Sequence, residues 1–249
     1  MSLKALIFDV DGTLAETERD GHRVAFNQAF TEAKIDWNWS VDFYGDLLAV
    51  SGGKERIQYY IEEYQPNLDI SQDLDEFIVS LHDLKSQHYR DILASGKIPL
   101  RPGIKRLIQA ARTAGIRLAI ATTSSLPNVM KLLEKTLDPD WFEVIAAGDM
   151  VPEKKPAPDI YYYTLQHLKL SPDDCIVFED SNHGVQAATT VGLTTIITVN
   201  NYTRNQDFSG ASLIVDHLGE PDQPLTCLSA ELEEVNYIDI EYLKKLLEK

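Results

Sequence analysis

Apolar residues in this chain gather in short unbroken runs separated by longer stretches with helical periodicity. Leu3 to Val10 is one such run, closed by Asp11-Gly12. It predicts a strand buried on both faces, as a parallel sheet requires. Ile116 to Ala121, Val144 to Ala147, Cys175 to Phe178 and Thr194 to Val199 predict four more, and Ser212 to Val215 a sixth. Between them, Ile104, Leu107, Ile108 and Ala111 repeat with helical spacing after Pro102-Gly103. Pro158 is expected in the first turn of a further helix, where its missing N–H costs nothing, with Leu165 and Leu168 on the buried face. Strands alternating with helices predict an α/β fold with a doubly wound parallel sheet. Functional residues in such sheets collect at the carboxyl ends of the strands.

Residues 16–95 break this rhythm. They hold no buried strand, and Leu74, Phe77, Ile78, Leu81, Leu84 and Ile92 repeat with helical spacing. The expected organisation is a Rossmann-like core of residues 1–15 and 96–249 with a small α-helical domain of residues 16–95 inserted after the first strand. The acidic segment from Leu228 to Lys249 reads as solvated packing.

Composition narrows the functions. The hydrophobic fraction of 44% supports a packed core. A formal net charge of −16 argues against nucleic acid and anionic membranes as partners. Cys175 sits in an apolar run and is expected to be a buried small hydrophobe, and the two cysteines suggest no disulfide framework. The absence of a signal-like leader suggests the cytoplasm, or a plastid stroma if a transit peptide has been removed. The chain is expected to be a monomer.

Chemistry enters at the strand ends. Asp9-Val10-Asp11-Gly12-Thr13 places two carboxylates on either side of one apolar residue at the end of a buried strand. Like charges this close need a cation or a proton between them. A hard cation such as Mg2+ suits carboxylate and carbonyl ligands and also binds phosphate. Thr122-Thr123-Ser124-Ser125 offers hydroxyls and backbone N–H groups ahead of a helix, a natural phosphate cradle. Lys155, before a proline-rigid turn, is placed to neutralise phosphate charge. Phe178-Glu179-Asp180-Ser181 supplies a second acidic pair. Each piece alone has a plainer reading: a strand end with an Asp-Gly turn, a helix N-cap for the hydroxyls, a surface lysine pair, and another helix cap for the second acidic pair, the plain reading being favoured for the hydroxyls and the lysines. Four of them, each after a predicted parallel strand, would meet at one edge of the sheet.

This set resembles the four motifs of the haloacid dehalogenase-like superfamily, and the helical insertion matches the position of that family's cap domain. The resemblance implies a magnesium-dependent phosphatase. Asp9 would be the nucleophile and form an aspartyl-phosphate, and Asp11 the general acid and base. Thr122 and Lys155 would hold the phosphoryl group. Asp9, Asp11 through its carbonyl, Asp180 and Glu179 would serve the metal.

Substrate-contact candidates are Glu16, Tyr44, Gly52, Gly53, Lys54, Arg56, Lys85, Arg101, Thr123 and Ser124. Glu16 could bond sugar hydroxyls. Gly52-Gly53-Lys54-Glu55-Arg56 sets two glycines before two cations at a helix start, a layout that fits a second phosphate. Lys85 lies on a helix of the insertion, and Arg101 in the returning linker. At this level the chain is similar to CbbY-type phosphatases, relatives of β-phosphoglucomutase. The stretches that carry this likeness are Asp11 to Glu18, Gly52 to Ile57, Ala121 to Val129 and Ala146 to Val151. The implied reaction is hydrolysis of xylulose-1,5-bisphosphate, an inhibitory side product of the CO2-fixing enzyme rubisco, to xylulose 5-phosphate. One departure lies at Arg19-Asp20-Gly21-His22, where Gly21 is expected to weaken a helix. The competing readings are a phosphomutase, a metal-independent dehalogenase and a phosphate-binding scaffold.

Overall fold

The computed structural model describes residues 2–50, 52–66, 73–229 and 235–248. Ser51, one of the residues flanking the glycine pair, lies outside them. Two compact units are present: residues 1–16 with 99–249, and residues 17–98.

The first unit is built on a six-stranded sheet in which every neighbouring pair is parallel. Its strands are β1 (Ala5–Phe8), β2 (Arg117–Ala121), β3 (Val144–Ala146), β4 (Cys175–Glu179), β5 (Thr194–Thr198) and β6 (Leu213–Val215). All six expected runs are strands. Their order, β3-β2-β1-β4-β5-β6, leaves β1 central, with Phe8 level with Ile120 on one side and Phe178 on the other. Every residue of β1 and β4 is buried, which explains why these runs are apolar throughout instead of alternating. The chain first winds outward through β2 and β3, then returns to pair β4 with β1. The direction of winding therefore reverses between β1 and β4, and ligands of doubly wound sheets bind outside the carboxyl ends at such a point.

The second unit is helical. It begins with a π-helical turn, Glu18–His22, that runs directly into α1 (Arg23–Glu32). Then come α2 (Val41–Leu47), α3 (Gly53–Tyr64) and α4 (Leu74–Ala94). Phe26, Phe30, Trp37, Trp39 and Tyr60 stack mainly edge-on and tilted in its centre, the arrangement that ring quadrupoles favour. Gly21, expected to weaken a helix, lies inside the π turn. The chain absorbs it in the wider π turn, and a Cβ there would stand 2.8 Å from both Tyr89 and Ile98. His22 can then stack on Tyr89, with ring centroids 3.7 Å apart.

The first unit adds α5 (Ile104–Thr113), α6 (Leu126–Thr136), α7 (Asp159–Leu168), α8 (Asn182–Thr190) and α9 (Ile240–Leu247). Pro158 is the residue capping α7, one place before its first turn, and Leu165 and Leu168 are buried as expected. No helix among the described residues is long and apolar enough to cross a membrane. Cys175 and Cys227 are free thiols. Burial pushes the Cys175 thiol up to about 12, so it behaves as an inert core residue.

Candidate active site

Asp9 directly follows β1, and its N–H extends the ladder to the Phe178 carbonyl at 3.0 Å. Beyond it the chain reverses. Leu14 N–H donates to the Val10 carbonyl at 2.9 Å, and Gly12 N–H to the Ala15 carbonyl at 2.9 Å. Gly12 has φ +84°, and a Cβ there would fall 2.3 Å from Asp180 Oδ2 and 2.7 Å from Asn200 Nδ2. Only glycine lets this loop lie against the end of β4.

Lys155 is 4% exposed and reaches back from the segment before α7. Its ammonium donates to Asp9 Oδ1 at 2.8 Å, to the Ala121 carbonyl at 2.8 Å and to Glu179 Oε1 at 2.5 Å. Three donors meet three acceptors, which is how a buried charge is made tolerable. Glu179 Oε1 also accepts from the Tyr161 hydroxyl at 2.5 Å. Asp180 Oδ2 accepts from Asn200 Nδ2 at 2.7 Å, and the Asn200 amide oxygen is pinned by the N–H groups of Tyr202 and Thr203. One oxygen each from Asp9, Glu179 and Asp180 lies within 4.8 Å of the others.

Three buried carboxylates against one ammonium leave an excess of negative charge. Burial pushes the Asp9 carboxyl up to about 8; Lys155 opposes the rise, while Glu179 and Asp11 add to it. Asp180 is raised well above the usual carboxylate range, first by burial and then by Asp9 and Glu179. Burial alone would lower Lys155, yet the same two carboxylates hold it above its ordinary value. A carboxylate cluster that resists ionising in a protein interior, with only oxygen donors, fits a hard divalent cation.

Asp11 is half-buried and accepts a short hydrogen bond from the Ser124 hydroxyl. Thr122 is buried at the end of β2, and its Oγ1 accepts the Ser124 N–H at 3.1 Å. Thr123 and Ser124 remain partly exposed ahead of α6. The carboxylates and hydroxyls expected from the sequence thus stand at adjoining strand ends in one unit, and Lys155 reaches them from the segment before α7.

Four of the expected substrate contacts are buried and have protein partners. Arg101 is not an open anion contact. Its five N–H donors meet Glu16 at 3.1 Å and the carbonyls of Gly12, Thr198, Val199 and Asp216, at 2.9, 2.6 and 2.6 Å for the last three. It ties the loop after β1 to the ends of β5 and β6. Glu16, the ion-pair partner, keeps 41% of its side chain exposed. Within the helical unit, Arg56 is buried and donates to the Leu47 and Val50 carbonyls and to the Tyr44 hydroxyl. It satisfies carbonyls at and beyond the carboxyl end of α2. Tyr44 is fully buried and donates to Glu18 at 2.6 Å. Lys85 is buried with its ammonium 2.7 Å from His22 Nδ1 and over the rings of Phe26 and Tyr89. Gly52 and Gly53 do open α3, and Lys54 is exposed in its first turn.

Tyr161 and Asn200 touch the cluster and were not singled out in the sequence. Tyr161 shares the i, i+4, i+7 face of α7 with Leu165 and Leu168, and Asn200 follows the β5 run. Either could have been found by asking which polar residues face the sheet or end a strand.

Comparison with known proteins agrees with this geometry. The family model for haloacid dehalogenase-like hydrolases matches residues 3–192. The protein CbbY of Rhodobacter capsulatus is 50% identical over 214 residues, covering 85% of this chain and 92% of that protein. Plasmid-borne CbbY of Cupriavidus necator is 43% identical over 226 residues, covering 90% and 89%. Crystal structures of CbbY from Rhodobacter sphaeroides, one with phosphate and one of a variant with xylulose-(1,5)bisphosphate, superpose with a TM-score of 0.79. They share 44% identity and cover 86% of this chain and 94% of theirs. The chain belongs to the haloacid dehalogenase-like hydrolase family, as a phosphatase of its CbbY branch.

Proposed function

We propose that this phosphatase uses Mg2+ and hydrolyses xylulose-1,5-bisphosphate to xylulose 5-phosphate and inorganic phosphate through an aspartyl-phosphate on Asp9. The observation that carries the reaction type is the buried Asp9–Lys155–Glu179 hydrogen-bond chain with Asp180 beside it, at the point where the winding of the sheet reverses. The substrate assignment is supported by the xylulose-(1,5)bisphosphate complex of the Rhodobacter sphaeroides relative.

In this reading an Asp9 oxygen attacks phosphorus, and the bond from phosphorus to the sugar oxygen breaks. Asp11 donates a proton to the departing oxygen, and the Ser124 hydroxyl steadies its carboxylate. Asp11 then takes a proton from water as the water attacks the aspartyl-phosphate, which releases phosphate and restores Asp9. A positioned carboxylate splits one difficult hydrolysis into two displacements. Lys155 fixes the orientation of Asp9 and offsets charge that gathers on the transferring group. The Thr122 hydroxyl and the N–H groups ahead of α6 cradle the phosphoryl oxygens. Asp9, Asp180 and the Asp11 carbonyl would hold Mg2+, with Glu179 adjoining. The bound ion supplies charge neutralisation at the phosphoryl oxygens.

The test is a phosphate-release screen over sugar mono- and bisphosphates with Mg2+ or with EDTA, alongside Asp9→Asn. Xylulose-1,5-bisphosphate should give the highest kcat/KM, and both EDTA and Asp9→Asn should abolish release. Activity that survives EDTA would favour a metal-independent reaction. Conversion of β-glucose 1-phosphate to an isomer without phosphate release would mark a mutase. Hydrolysis unchanged in Asp9→Asn would remove the assigned nucleophile.

A further inference from the structure

Tyr161 is fully buried in the first turn of α7, and its ring packs in the apolar cluster that includes Ile7, Ala121 and Val177. A phenylalanine would fill that space equally well. The hydroxyl has one acceptor, Glu179 Oε1 at 2.5 Å, and that same oxygen takes the Lys155 ammonium at 2.5 Å. The Lys155 ammonium also stands 5.2 Å from the centre of the Tyr161 ring. No part of this contact faces solvent, so Tyr161 has no route to substrate.

The arrangement divides one ammonium between two carboxylates. Lys155 bonds Asp9 on one side and Glu179 on the other. A carboxylate oxygen that accepts a second strong donor pulls less on the first. The Tyr161 hydroxyl therefore limits how far Glu179 can draw Lys155 away from Asp9. We propose that Tyr161 is a positioning residue of the reaction: its hydroxyl holds Glu179 so that Lys155 stays shared with the nucleophile. The inference rests on the reading of Asp9 and Lys155 given above.

Tyr161→Phe deletes one buried atom and keeps the packing. Hydrogen bonds to charged groups are among the stronger ones, so kcat should fall about tenfold. KM should stay within about twofold, because substrate binding loses no contact. The single-turnover rate of phosphate release should fall with kcat. In Glu179→Gln the hydroxyl has lost its charged partner. Tyr161→Phe added to Glu179→Gln should then cost less than about twofold more, since the two act through one contact. A Tyr161→Phe protein with native far-UV circular dichroism and kcat within twofold of wild type would overturn the proposal. So would a double variant whose losses multiply. Lys155→Ala separates the two levels of the argument. If it keeps its turnover, the reading of the site is wrong. If it loses turnover while Tyr161→Phe does not, only the role given to Tyr161 fails. Should Tyr161→Phe not fold, the hydroxyl is needed for the fold itself and the positioning role is refuted.

Discussion

Without the divalent cation proposed above, the stability of this enzyme should fall as pH rises through the neutral range. Burial pushes Asp9 up to about 8 in the folded protein, and Asp180 is raised as well. An aspartate in the unfolded chain titrates near 3.9. Between about pH 4 and pH 8 the metal-free fold therefore binds at least one more proton than the unfolded chain. With the native state holding the extra proton, unfolding free energy decreases by about 1.4 kcal/mol per pH unit. From pH 5.5 to 7.5 that is about 3 kcal/mol, or roughly 6–12 °C in Tm for a chain of this size. Lys155 is also raised, but its contribution is complete below its unfolded value and is lost only at alkaline pH, outside this window. On the proposed reading saturating Mg2+ would take the place of the proton, so the gap in Tm between Mg2+ and EDTA should widen as pH rises. The assay is a thermal melt at about pH 5.5, 6.5 and 7.5 in both conditions, for wild type and Asp9→Asn. Surface titrations are common to the two proteins and cancel in their difference. A difference between wild type and Asp9→Asn that stays constant with pH would refute the reasoning. A metal-induced gap that narrows toward pH 7.5 would do the same.

Lys155→Ala and Asp180→Ala should each lower turnover at least about tenfold, measured by phosphate release under saturating Mg2+. Gly12→Ala should cost about 1–2 kcal/mol in a denaturant titration from its positive φ alone. Its loss of turnover should be larger than that implies, because the new methyl group displaces the Asp180 carboxylate from Asn200. The two cations at the start of α3 should separate. Lys54→Ala, at an exposed position, should leave the melting curve unchanged and impair bisphosphate cleavage more than cleavage of an aryl monophosphate. Arg56→Ala should destabilise by about 2–4 kcal/mol in the same titration, since it strands the Leu47 and Val50 carbonyls and takes one donor from the Tyr44 hydroxyl, which keeps Glu18.

The sheet was legible because its central strands are buried on both faces, so Leu3 to Val10 and Cys175 to Phe178 stand out as unbroken apolar runs. The reacting cluster was legible for a related reason. Asp9, Thr122 and Asp180 each lie just beyond the close of such a run, and a parallel sheet must bring those ends together; Lys155 lies further along, in the segment before α7. The protein partners of Arg101, Arg56, Tyr44 and Lys85 were not legible, because a polar side chain shows its type in the sequence but not its partner. Most of the acceptors of Arg101 are backbone carbonyls, which any residue can supply, and Thr198, Val199 and Asp216 lie about a hundred positions away along the chain. Tyr161 was hidden among Tyr161-Tyr162-Tyr163, where only the phase of α7 separates the buried ring from the exposed Tyr162. The π turn at Glu18–His22 was hidden as well, since a single glycine carries no mark distinguishing a helix end from a widened turn.

Arg101 also fixes a timetable. Of its five acceptors, Gly12 and Glu16 are made early in synthesis, whereas Thr198, Val199 and Asp216 emerge 97 to 115 residues after the arginine itself. A nascent chain stopped before β5 carries Asp9, Asp11, Lys155 and Asp180 yet lacks the three later carbonyls that hold Arg101 against the Gly12 loop. A truncation before β5 is therefore expected to loosen the loop that carries Asp11 while every residue of the proposed chemistry stays in the chain.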